Sequence, residues 1–132
     1  MYSEKRKLGN IGENVAVNKL LSEGFLILDR NYLKKWGEID IVARGTDGLI
    51  HFVEVKSVSR STASITGRRK VPHETFRPEE NVTRQKIIKL ERVIQSWLSE
   101  HKYAGEWQID VAAVTLDMKR RVGRVEMIWR VF

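Results

Sequence analysis

The chain has 132 residues, 42% of them hydrophobic and 31% charged, a length that supports one core burying about two thirds of the unfolded surface. It contains no cysteine, which excludes disulfides, thiolate zinc sites and a cysteine nucleophile. The formal charge of +7 fits a polyanionic partner, although a basic surface that only keeps the chain in solution reads the same way. In chain order, residues 3–23 read as a helix: Leu8, Ile11, Val15 and Leu20 keep roughly helical spacing, and Gly24 stands where a C-terminal cap belongs. Gly9, Gly12 and Ala16 form a second stripe of small residues that would let the helix approach a sheet closely, with Glu13 beside it. Residues 25–31 read as a first strand.

Two further strands, 36–43 and 50–56, flank the turn signal Gly45-Thr46-Asp47-Gly48. If Gly48 supplies the positive-φ residue of a three-residue loop, Gly45 pairs with Leu49. Asp40 then faces Glu54, and Glu38 faces Lys56; a two-residue loop or a bulge would reverse the parity. One reading is an ordinary cross-strand ion pair between Glu38 and Lys56. Both strands, however, carry apolar residues on both parities, the pattern of a sheet covered on its two faces. An unpaired carboxylate there costs several kcal/mol, and two of them about 4 Å apart repel by roughly 4 kcal/mol. A proton or a cation must then sit between Asp40 and Glu54. Oxygen ligands favour a hard ion, Mg²⁺ or Mn²⁺, and Lys56 is placed to orient a water beside it.

Residues 57–80 lose periodicity and gather Ser, Thr, Pro72, Pro78 and the basic run Arg68-Arg69-Lys70. They read as a loop that either clamps a nucleic-acid backbone or is simply solvated. A second helix is expected over 82–101, with Ile87, Leu90, Ile94, Trp97 and Leu98 on one face. Arg84, Gln85, Lys89 and Arg92 lie off that face, singly as solvated groups or together as phosphate contacts. Strands at 107–116 and 122–132 complete the order αβββαββ, an α/β fold with a mixed sheet. His51, His73 and His101 have no ligand-like spacing, and the four tryptophans read as core or interface anchors.

Gly37-Glu38-Ile39-Asp40 followed by Phe52-Val53-Glu54-Val55-Lys56 resembles the YraN-like family of predicted endonucleases, within the PD-(D/E)XK superfamily of restriction enzymes and archaeal Holliday junction resolvases. Gly9-x-x-Gly12-Glu13-x-x-Ala16 with Gly24 and Asn31 is similar to the family's first helix and its exit. Val82-Thr83-Arg84-x-Lys86 with Trp97-Leu98 is similar to its second helix, and Ile109-Asp110-Val111 to its fourth strand. The resemblance covers nearly the whole chain. It implies a restriction endonuclease-like fold over 1–132 as a single domain, and Mg²⁺- or Mn²⁺-dependent hydrolysis of DNA, branched or recombination intermediates included. Asp40, Glu54 and the carbonyl of Val55 would hold the ion, Lys56 would position the attacking water, Glu13 would reach the site, and Gln85 would add a polar group from the second helix. Arg68, Arg69, Lys70, Arg84, Lys86 and Lys89 would contact DNA.

Two positions depart from the family pattern, Val58 and Gln108, each standing where a basic residue is usual, and the segment 57–80 is longer. These departures bear on substrate contacts more than on the metal site. They keep open a second function, a non-catalytic nucleic-acid-binding module of the same fold acting in repair, recombination or DNA uptake. A homodimer is expected only by analogy with resolvases. No apolar run approaches the ~20 residues that cross a bilayer, and no apolar segment follows the basic start of the chain. The expected place is the cytoplasm.

Overall fold

The computed structural model describes residues 4–60 and 84–132. Helix α1 (Glu4–Ser22) leads into strands β1 (Leu26–Lys34), β2 (Gly37–Arg44) and β3 (Ile50–Arg60); helix α2 (Arg84–Glu100) is followed by β4 (Trp107–Asp117) and β5 (Val122–Ile128). Among the described residues the order is αβββαββ, as expected. The five strands form one mixed sheet in the order β1-β2-β3-β4-β5, antiparallel except for β3 and β4, which run parallel. A parallel neighbour needs a crossover, and α2 lies on that connection.

Each face of the sheet has its own core. On the α1 side Ala16, Val17 and Leu20 pack on Ile41, Ala43, Val53, Ala112, Val114 and Leu116. On the α2 side Val93, Ile94, Trp97 and Leu98 pack on Ile39, Val42, Ile50, Phe52 and Ile109. The strands are therefore apolar on both parities because both faces are covered. The α2 stripe is the one its periodicity predicted.

The buried face of α1 differs from the expected one. Ile11 is 37% exposed, whereas Glu13, Ala16, Val17 and Leu20 are buried, so Gly12 and Ala16 of the small-residue stripe face the sheet while Gly9 stays exposed. Gly12 makes this approach feasible, since a Cβ there would stand 1.9 Å from Ser57 Oγ. Strand β3 also continues to Arg60, where a loop from residue 57 was expected. Ser57 to Ser59 pair with Val114 to Leu116 of β4, and that parallel ladder supplies the order that short polar residues do not signal on their own. Strand β1 likewise runs on to Lys34, with a bulge between Ile27 and Asp29, and β5 stops at Ile128. Beyond it the chain remains attached to β4, because Val131 N–H donates to the Ile109 carbonyl at 2.8 Å and Ile109 N–H to that of Phe132 at 2.9 Å.

Candidate active site

The turn between β2 and β3 has the predicted form. Gly48 has φ 88°, its N–H donates to the Gly45 carbonyl at 2.9 Å, and Gly45 N–H donates to Leu49 at 2.9 Å. The ladder then runs from Arg44 opposite Ile50 to Ile41 opposite Val53, the register that would set Asp40 against Glu54. Main-chain pairing ends there. The Asp40 carboxylate accepts the Val55 N–H at 2.8 Å, and alternation breaks at the same point, with Ile41 in the α1-side core but Ile39 in the other. A side-chain acceptor has replaced a main-chain one, so the parity argument holds as far as Ile41 and fails at Asp40.

In consequence, the expected site residues are divided between two cavities. One, about 520 Å³ on the α1 side, is lined by Glu13, Asn31, Glu38, Asp40, Val55 and Ser57 among others. The second, about 130 Å³ on the α2 side, has Trp36, Glu38, Glu54, Lys56, Lys86 and Lys89 around an apolar floor of Leu90, Val93, Ile109 and Val111. Glu38 borders both. The carboxylates nevertheless feel one another: burial, then repulsion from Glu54, pushes the Asp40 pKa up to about 8, with smaller pushes from Glu13 and Glu38 and an opposing pull from the Val55 N–H. Here a proton or a cation is needed.

Lys56 Nζ lies 3.4 Å from Glu54 Oε2 and within hydrogen-bonding reach of Lys86. Burial pulls the Lys56 pKa down, but the Lys86 amine and the carboxylates of Glu54 and Asp40 outweigh it, and the net direction is up. Lys86 moves down, first because it bonds Lys56, then by burial.

Glu13 is buried with both oxygens engaged: Arg30 donates to Oε1 at 3.1 and 2.8 Å, and Asn31 to Oε2 at 2.8 Å. Arg30 was not singled out from the sequence; its position beside the motif residue Asn31 was the available signal. Gln85 and Arg84 are exposed, and Gln85 lines neither cavity; Lys86, one residue on, is the α2 residue beside Glu54 and Lys56. Gln108 is buried and donates to Asp110 at 2.7 Å, and Val58 is half-buried within β3. Arg68, Arg69 and Lys70 lie outside the described residues. Among the described residues no three His, Cys, Asp or Glu side chains gather as a set able to hold a metal ion. Asp40, Glu54 and the Val55 carbonyl offer only oxygen donors, the kind a hard ion prefers, but no single cavity gathers all three: Asp40 and Val55 line one and Glu54 the other.

A mixed five-stranded sheet covered by two helices, with a carboxylate-and-lysine cleft where its central hairpin stops pairing, defines the class to which this molecule belongs. The chain is a member of the uncharacterised protein family UPF0102, whose model matches residues 12–114. This bears out the resemblance read from the hairpin and the first helix. Its relatives include a UPF0102 protein of Moorella thermoacetica, 36% identical over 129 residues and 97% of each chain, and one of Beutenbergia cavernae, 39% identical over 123 residues and 92% of each. Among solved structures, a repair endonuclease from Pyrococcus abyssi aligns with 88% of this chain at a TM-score of 0.39 and 19% identity. The chain spans only 39% of that protein's length, a likeness too slight to argue from.

Proposed function

We propose that the protein is a metal-dependent endonuclease that hydrolyses phosphodiester bonds of DNA, with Mg²⁺ or Mn²⁺ held by Asp40, Glu54 and the carbonyl of Val55. The observation that carries this reading is the half-buried Asp40 carboxyl, which accepts the Val55 N–H at 2.8 Å and is repelled by Glu54, with the Lys56 amine 3.4 Å from Glu54. A carboxylate strained in this way is relieved by a divalent cation, and oxygen donors suit a hard one. When bound, such an ion lowers the pKa of water and neutralises charge developing on a phosphate. Lys56 supplies a cation that orients the attacking water or holds a phosphate oxygen, and Lys86 and Lys89 line the same cavity as further phosphate contacts. Glu13 acts at one remove, through repulsion on Asp40, because Arg30 and Asn31 already occupy its oxygens.

A second reading is a nucleic-acid-binding module of the same fold that does not cleave. It is favoured by the absence of a three-ligand cluster among the described residues and by the ion pair that already neutralises Glu13. The two readings separate in one experiment with purified protein, Mg²⁺ or Mn²⁺, and linear, flapped and four-way DNA. A nuclease loses cleavage in Glu54→Ala and Lys56→Ala; Glu54→Ala keeps or gains DNA affinity because a negative charge is lost, and Lys56→Ala keeps metal binding because lysine is no ligand for a hard cation. Cleavage that survives Glu54→Ala, or wild-type protein inert on every substrate with both metals, rejects the enzyme.

A further inference from the structure

At the turn end of the hairpin lies a pocket that the phosphodiester chemistry does not use. Asp110 is fully buried; its Oδ1 accepts Gln108 Nε2 and the Arg130 N–H, both at 2.7 Å, and its Oδ2 faces His51 Nδ1 at 2.6 Å. A carboxylate can only accept, so Nδ1 carries the hydrogen and Nε2 is the nitrogen left over. His51 is 4% exposed, and its Nε2 is buried with no hydrogen-bond partner among the described residues. The nearest carboxylate oxygen, Asp47 Oδ1, is 3.9 Å away, beyond hydrogen-bonding distance. A buried nitrogen left without a partner is unfavourable, and a ligand that donates to it recovers the loss.

The surroundings specify that ligand. His51, Asp47, Phe25, Gly45 and Trp129 border a cavity of about 280 Å³. The rings of Phe25 and Trp129 are nearly parallel, 9° apart with centroids at 5.9 Å, and both meet the His51 ring edge-on. Trp129 is 44% exposed, so part of an apolar residue reaches solvent at the mouth of a pocket that also holds the buried, unpartnered His51 Nε2 and the Asp47 carboxylate. A flat heterocycle bearing an exocyclic amine matches all three, by stacking on Trp129 and donating its two amine hydrogens to Nε2 and to Asp47. His51 shares the sheet face of Val53 and Val55, about 13 Å along β3 from Val55.

We propose that this pocket takes one unpaired base bearing an exocyclic amine, from a strand that passes along the α1-side cavity of Asp40 and Val55. The proposal rests on the nucleic-acid reading above. Trp129 is then a binding residue, whereas its sequence reading was a core or interface anchor. Gly45 keeps the pocket open, because a Cβ there would stand 3.0 Å from His51 Nε2 and 2.8 Å from Asp47 Oδ1.

The test is equilibrium binding of short labelled single strands (oligo-dA, oligo-dC, oligo-dT and a strand with abasic sites) in EDTA, so that cleavage plays no part. Stacking and pairing at one base predict that oligo-dA and oligo-dC bind about tenfold tighter than oligo-dT and the abasic strand. Trp129→Ala and Gly45→Ala, each first shown to melt as a folded protein, should both erase that difference while the abasic strand binds as before. Equal affinity for all four strands, or a preference that survives both substitutions, overturns the pocket and leaves the nuclease reading intact. No binding to any strand also overturns the pocket, while the nuclease reading is decided separately by the cleavage assay with Mg²⁺ or Mn²⁺.

Discussion

Asp40 carries the sharpest consequence at the scale of single residues. Its carboxyl titrates near 8 in the fold against about 3.9 in an unfolded chain, so between those values the folded state holds the extra proton. The stabilisation from this group is therefore complete below about pH 4 and is lost as pH rises through about 8. Metal-free Asp40→Asn should melt above wild type at pH 9 and level with it at pH 4, by about 4 °C for each kcal/mol; the asparagine oxygen can still accept the Val55 N–H. Melting curves in EDTA across that range decide the matter, and a difference that does not change with pH rejects the burial argument. Saturating Mg²⁺ should raise the melting point of wild type at pH 9 and leave Asp40→Asn unmoved. In the sequence, Asp40 and Glu54 were legible as charges inside apolar strands. The division of labour around them was not: Arg30 neutralises Glu13 across 17 residues, and His51 meets Asp110 across 59, through strand contacts that no local spacing encodes.

Among the elements, the contact between α1 and β3 controls which residues can reach Asp40. Gly12 approaches Ser57 so closely that a Cβ would stand 1.9 Å from its Oγ and 2.9 Å from its Cβ, and Ser57 lines the cavity with Asp40 and Glu13. Gly12→Ala gains helix propensity but must push α1 off the sheet, for a net loss of about 1 to 3 kcal/mol. Ser57→Gly should remove most of that penalty. A double-mutant cycle by denaturant unfolding measures it, and additive effects would show that the two sites do not touch. The glycine-alanine stripe announced this approach, and the loop chemistry of Gly48 announced the hairpin register, because both are steric requirements written in residue type. The continuation of β3 through Ser57, Val58 and Ser59 carried no such mark. Its order comes from the parallel ladder with β4, a partner more than fifty residues away.

On the scale of the whole molecule, the excess of 24 basic over 17 acidic residues has a measurable signature only if it is concentrated where a strand lies. Lys86 and Lys89 line the cavity of Glu54 and Lys56, whereas Arg120 sits on the turn between β4 and β5 with Asp117 3.8 Å away. Each phosphate neutralised on a single strand steepens the dependence of log K on log salt by about 0.7. Replacing both Lys86 and Lys89 by alanine should therefore flatten the slope by about 1.4 and weaken binding most at low salt. Arg120→Ala should leave the slope unchanged, although it too removes a positive charge from the same +7. If all three lysine and arginine changes flatten the slope equally, the charge acts as a diffuse field and the cleft has no special claim on the phosphates. If only the lysine pair does, the strand runs past Glu54 and Lys56, where the proposed hydrolysis would need it.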